Sequence, residues 1–233
     1  MSKPYRLHYT PDNASLVIRL VLEEIGAPFD TVLVDRRQNA QDSTAFRALN
    51  PNGQIPVLET LQGPIFETAA ILLWLSEQHG QLAPAKDDPE RAGFLKWLFF
   101  ASNTLHADLR IVFYAEKYID PRQADKLRAA THPRLRRHLQ LLDAMAKSAP
   151  GWFCADHPSV LTYYVACMMR WMALYPAMTD RSWYQLTDTP CLQTLLMKLE
   201  TRPATRSAVL AEGLGANPFT SPVHPTPPEG SAI

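Results

Sequence analysis

The sequence predicts a small α/β domain over residues 1–81 and an all-helical domain over 89–216, joined by a linker at 82–88. Three observations predict it. The stretch 5–34 reads strand, helix, strand, an order that favours a parallel pair with a right-handed crossover. From 89 to about 211 the apolar residues recur at helical spacing. The texture of the chain changes from one to the other across the linker.

Residues 5–10 form the first expected strand, which stops at Pro11-Asp12-Asn13. From Ala14 the pattern is helical, with Ile18, Val21, Leu22 and Ile25 on one face. Ser15, Arg19 and Glu23 form a polar stripe on which Arg19 and Glu23 are spaced to pair. Gly26 ends the helix and 29–34 is a second strand. A polar loop and short helix fill 35–49, and Asn50-Pro51-Asn52-Gly53 is a dense turn signal. Residues 56–60 and 64–67 read as a hairpin around Gln62-Gly63, followed by a helix over 68–79 that Gly80 ends.

In the helical part, Pro89 sits where a first-turn proline is tolerated, ahead of Phe94, Leu98, Leu105, Leu109 and Val112 at helical spacing. Further helices are expected at 121–148, 159–174, 190–201 and 203–211, with breaks at Tyr175-Pro176 and Arg202-Pro203. A tail over 217–233, with five prolines by Pro228, is expected to be extended and to lack a core of its own. No internal repeat is present.

Composition narrows the function classes. The chain has 233 residues, enough for a real core, and 23 basic residues balance 23 acidic ones. That balance argues against nucleic-acid or acidic-membrane partners, which require a basic face. No apolar run is long enough to span a bilayer, and MSKPYRLHYT lacks the apolar stretch of a secretory signal. Three cysteines, Cys154, Cys167 and Cys191, lack CxxC spacing. They read as reduced, structural thiols of a cytoplasmic protein rather than a disulfide framework or metal site.

Two segments carry chemistry. In NPNGQIPVL, Pro56 cannot donate to a ladder and belongs at the start of a strand. The backbone of Ile55 is then free on one side for an extended peptide to add by main-chain hydrogen bonds, and the Ile55-Pro56 bond suits a cis isomer. A plain turn before a strand explains the same residues. In the second segment, Thr68 is a natural N-cap and Glu67 stands beside the positive end of the helix. First-turn amides, a hydroxyl and a carboxylate together suit an α-amino-acid head, which carries both charges on one carbon. Ordinary capping is the alternative.

NPNGQIPVL followed by FETAAILLWLSE resembles the glutathione-binding half of the cytosolic glutathione transferases, and the pattern is most similar to their bacterial beta class. The resemblance runs over about 5–211. It implies a thioredoxin-like N-terminal domain before the all-α domain, glutathione as co-substrate, a small electrophilic second substrate, and a homodimer without metal. Ile55 would pair with the cysteinyl part of glutathione beside a cis Pro56, and Glu67 and Thr68 would hold the γ-glutamyl head. Gln54, Arg36 and Arg37 are candidates for the glycyl end.

At the reaction centre the chain departs from the family. The position that matches the beta-class cysteine is Ala14, which rules out a cysteine mechanism there. The remaining donors to a glutathione thiolate are Ser15, ranked first, Asn13, ranked second, Thr10 and Tyr9, together with the first-turn amides. Asp12 and Asn13 also read as helix caps, and Ser15 as a solvent hydroxyl. In SNTLHADLRIVFY, Asn103, His106 and Arg110 share a face, and His106 is placed to reach the sulfur or the acceptor; a solvated polar stripe is the plainer reading. Trp97, Phe100, Phe113 and Tyr114 read as core or pocket wall. Ser159 caps the helix that follows, but Thr162 stands where the family carries an acid, so the reciprocal bond of a capping box is expected to be missing.

The expected function is conjugation of glutathione to small electrophiles, or glutathione-dependent reduction of peroxides or disulfides. The alternative is a non-catalytic binding or dimeric interaction module on the same fold.

Overall fold

The computed structural model describes residues 5–232. The first four residues of the expected α/β domain, and Ile233 at the end of the tail, lie outside them. The first half is thioredoxin-like. β1 (Tyr5–Tyr9), α1 (Ser15–Ile25), β2 (Phe29–Leu33), α2 (Thr44–Leu49), β3 (Val57–Thr60), β4 (Gly63–Phe66) and α3 (Thr68–His79) follow in chain order. The sheet order is β2-β1-β3-β4, with β1 and β2 parallel and the other pairs antiparallel. The parallel pair is crossed by α1, as the strand-helix-strand reading requires.

The second half is helical: α4 (Arg91–Phe100), a π-helical segment (Ala101–His106), α5 (Ala107–Phe113), α6 (Ala124–Lys147), α7 (Val160–Leu174), α8 (Pro190–Leu199) and α9 (Pro203–Glu212). α7 is apolar on every side and nearly all of it is buried, which marks it as the central helix of this half. A single apolar cluster runs from Leu7 and Leu16 through Phe94 and Leu109 to Tyr163 and Leu196, so α1 and α7 are packed into one core.

Three expectations on local structure are corrected. Ser15 and Arg19 are not a solvent stripe: they are 0% and 6% exposed, because α9 covers that face of α1. Arg19 pairs with Glu212 of α9 at 2.8 Å rather than with Glu23. The capping box of α7 is complete, since Thr162 Oγ1 accepts the Ser159 N–H at 3.0 Å in place of a carboxylate. The tail is extended but does not lack a core contact. Phe219 is 1% exposed inside the main cluster, which stabilises the tail by about 1.5–3 kcal/mol.

Beyond Phe219 the tail turns back to the sheet half. Glu229 accepts from the Tyr9 hydroxyl, the Gly230 carbonyl from Arg37 at 3.0 Å, and the Ala232 carbonyl from Asn13 at 3.1 Å. Among the described residues no helix is long and apolar enough to cross a membrane.

Candidate active site

The loop after β1, the turn before β3 and the start of α3 face α5 and α7 across a cavity of about 890 Å³. Each wall has a local cause. Asn50 folds the turn: its Oδ1 accepts from Asn52 N at 3.0 Å, its Nδ2 donates to the Gln54 carbonyl at 2.7 Å, and Gly53 takes a φ of 61°. Gln54, Ile55 and Pro56 then line the cavity, with the Ile55–Pro56 bond cis. The ladder begins one residue later, at Val57.

Glu67 rather than Thr68 is the N-cap of α3, and its side chain makes no capping bond. Its backbone holds φ 72°, a conformation that costs a non-glycine residue of order 1–3 kcal/mol and clusters at functional sites. The result is an exposed carboxylate at the cavity beside Thr68, Ala69 and Ala70, the first residues of α3. Their amides carry the partial positive charge of a helix start.

On the opposite wall the π-helical segment widens one turn and ends on His106, the kind of insertion found at functional sites. Asn103, His106 and Arg110 all line the cavity, and Arg110 reaches across to Gln54 Oε1 at 3.3 Å. His106 Nδ1 lies 2.6 Å from the Tyr164 hydroxyl. Burial, then the nearby Arg110 charge, pushes the imidazole down to about 4, so it is neutral at pH 7. Burial, then the Glu67 charge, raises the Tyr164 hydroxyl, which keeps its proton.

A family model for the glutathione S-transferase N-terminal domain matches residues 14–78, the segment that builds the turn and the start of α3. The chain is 24% identical over 213 residues to glutathione S-transferase GstA of Escherichia coli O157:H7, covering 90% of this chain and 99% of the relative. A beta-class glutathione S-transferase of Sphingomonas chungbukensis superposes with a TM-score of 0.72 at 26% identity, covering 89% and 98% of the two chains. A sphingomonad glutathione S-transferase complexed with glutathione gives a TM-score of 0.72 at 28% identity over 90% and 100%. Residues 14–78 thus match a glutathione S-transferase N-terminal domain, and over most of its length the chain is similar to bacterial glutathione S-transferases.

The structure brings eight of the nine expected site residues to one cavity, Asn13, Gln54, Ile55, Pro56, Glu67, Thr68, Asn103 and His106, and Ala14 lines it beside them. Ser15 is the exception and is a correction. It is fully buried, its hydroxyl donates to the Thr10 carbonyl at 3.0 Å and accepts from Thr10 N at 3.3 Å, and it does not reach the cavity. Thr10 is turned inward too, donating to the Val34 carbonyl at 2.7 Å, and Tyr9 is taken by Glu229.

Asn13 lines the cavity with both ends engaged: Nδ2 donates to the Pro11 and Ala232 carbonyls and Oδ1 accepts from Arg36. Arg36 is at the cavity, whereas Arg37 faces the tail. Phe113 and Tyr114 form part of the wall, while Trp97 and Phe100 pack against the core instead.

Among the wall residues that sequence reasoning missed are Tyr164, Trp171 and Tyr175, and it gave Asp12 no place in the wall. The spacing of Tyr164 and Trp171 on one face of α7, continued by Tyr175 at its C-cap, is a usable signal. Asp12 does not cap α1: the N-cap is Ala14 and no side chain caps it.

Proposed function

We propose that the protein is a glutathione transferase that holds glutathione in this cavity and presents its thiolate to a small electrophile. The cysteinyl backbone pairs with Ile55, the γ-glutamyl head lies between Glu67 and the first amides of α3, and the glycyl end lies toward Gln54 and Arg36. The observation that carries this is convergence: the cis Ile55–Pro56 turn, the Glu67 carboxylate, the start of α1 and His106 face one cavity.

A free thiol titrates at about 8.5, and lowering it by about two units requires about 2.7 kcal/mol of preferential stabilisation of the thiolate. With Ala14 at the beta-class cysteine position, and Ser15 and the residues after it buried, that stabilisation falls to His106 and to the Ala14 end of α1, which lines the cavity. When Nδ1 of a neutral His106 accepts from Tyr164, Nε2 carries the proton and donates to sulfur. The sulfur then forms a bond to the electrophilic carbon and the leaving group departs with its electron pair. Trp171, Tyr175, Phe113 and Tyr114 give the acceptor an aromatic wall.

We extend the reading to a cytoplasmic two-fold homodimer, with sedimentation at micromolar concentration as its check. Glutathione-dependent turnover of an aromatic electrophile, with a thermal melt in glutathione alongside, tests the activity. At a hundred times the dissociation constant the ligand stabilises by about 2.7 kcal/mol, and absence of both turnover and shift rejects the assignment.

A further inference from the structure

We infer that Asp12 is a positioning residue that sets acceptor selection, by holding the aromatic wall of the cavity in register with the loop that starts α1. The inference rests on the glutathione site proposed above and goes beyond it.

Asp12 is 3% exposed, and its carboxylate receives four donors, all from α7 or the residue that follows it. Arg170 Nε and Nη2 donate at 2.8 and 2.9 Å, Trp171 Nε1 at 3.0 Å and the Tyr175 hydroxyl at 2.7 Å. Two carboxylate oxygens offer about four lone-pair sites, so the group is saturated. Its own N–H donates at 2.8 Å to Glu212 of α9, and its φ of 52° is one that a non-glycine residue seldom takes.

None of these bonds caps α1, and an ion pair buried on both sides is weak evidence of a stabilising role. What they do is geometric. Asn13 and Ala14, the next two residues, line the cavity at the start of α1, and Trp171 and Tyr175 line it on the other side. One carboxylate therefore fixes both. Trp171 also rests against His106, with ring centroids 5.8 Å apart. Arg170 spends its remaining donors on the Leu214, Pro218 and Val223 carbonyls, which hold the root of the tail to the same point.

The cysteinyl-backbone, γ-glutamyl and glycyl contacts proposed above lie on other segments, the turn before β3, the start of α3 and Arg36, and Asp12 borders only the sulfur end of the site. Asp12 should therefore govern the acceptor more than glutathione.

The test uses Asp12→Asn and Tyr175→Phe in the full chain. The second keeps the Arg170–Asp12 pair and deletes one hydroxyl, so it remains readable if the first fails to fold. Two readouts are taken: steady-state kinetics with an aromatic electrophile, and binding of anilinonaphthalene sulfonate to the ligand-free protein. Expected for Tyr175→Phe is a rise of about five- to tenfold in KM for the electrophile and a matching loss of dye affinity, with the KM for glutathione within about twofold. Unchanged electrophile KM and dye affinity, or electrophile and glutathione KM rising in step, would overturn the inference. A parent protein that binds the dye but shows no glutathione-dependent turnover would count against the glutathione reading, and the dye comparison then decides Asp12 alone.

Discussion

The Tyr164 hydroxyl stands 2.6 Å from Nδ1 of His106, and the two residues come from α7 and from the π-helical segment that ends α4. Neither position has meaning for the other in the sequence, yet the pair decides which nitrogen of a neutral imidazole is free for a ligand. Tyr164→Phe removes the partner and keeps the ring. Turnover should fall by about tenfold with little change in glutathione affinity, read as kcat against a calorimetric dissociation constant; unchanged kcat would show that His106 needs no such orientation.

His106 also imposes a pH dependence on stability. Its folded pKa of about 4 lies below the value near 6.5 in an unfolded chain. Between those values the unfolded chain holds the extra proton, so this contribution is intact above pH 6.5 and is lost as pH falls toward 4. Because His106 is open to the cavity, the loss is on the order of 2 kcal/mol rather than the full shift. Denaturant titrations from pH 7 to 4 should show a shallower fall for His106→Gln than for the parent, and parallel curves would refute it.

Glu67→Gln removes the charge that opposes the ligand ammonium and keeps the size of a side chain that makes no capping bond. A charge-assisted bond is worth about 1.5–3 kcal/mol, so glutathione affinity should fall by about ten- to a hundredfold. Calorimetry giving the parent affinity on a folded variant would move the head group elsewhere.

At the start of α1 two substitutions should separate. Ala14→Cys places a thiol at the cavity, where the helix start lowers its pKa. With glutathione disulfide, that thiolate should displace one glutathione and retain the other as a mixed disulfide, a mass increase reversed by reductant and absent from the parent. Ser15→Ala should leave kcat unchanged, because the hydroxyl is spent on Thr10, and should cost about 1–2 kcal/mol of stability. A large loss of kcat in a folded Ser15→Ala would restore Ser15 to the reaction centre.

Truncation after Pro228 removes Glu229 from Tyr9, Gly230 from Arg37 and Ala232 from Asn13. Three partly exposed contacts of this kind together contribute about 1–3 kcal/mol, so Tm should drop by a few degrees. Asn13 should also be released toward the cavity, read as a change in the KM for glutathione. An unchanged melt would mean that the strap adds nothing beyond the anchor at Phe219.

What the sequence determined by itself was local. Period-2 and period-3.6 patterning, Gly26 and Gly80 after their helices, and the Asn50–Gly53 turn are encoded within a few residues, so the α/β half, the helical half and the Ile55–Pro56 and Glu67–Thr68 segments were legible from them. The tertiary structure alone decided which polar residues face the cavity. Ser15 and Arg19 carry the spacing of a solvent face, but α9 lies across it, and burial then demands partners that are supplied by Thr10 and Glu212. Asp12 looks like a helix cap within its own segment, yet its carboxylate is claimed by Arg170, Trp171 and Tyr175, donors far along the chain that no local pattern announces. Long-range pairing of this kind follows from how two layers meet, and a buried charge takes whichever donors that meeting brings within hydrogen-bond reach.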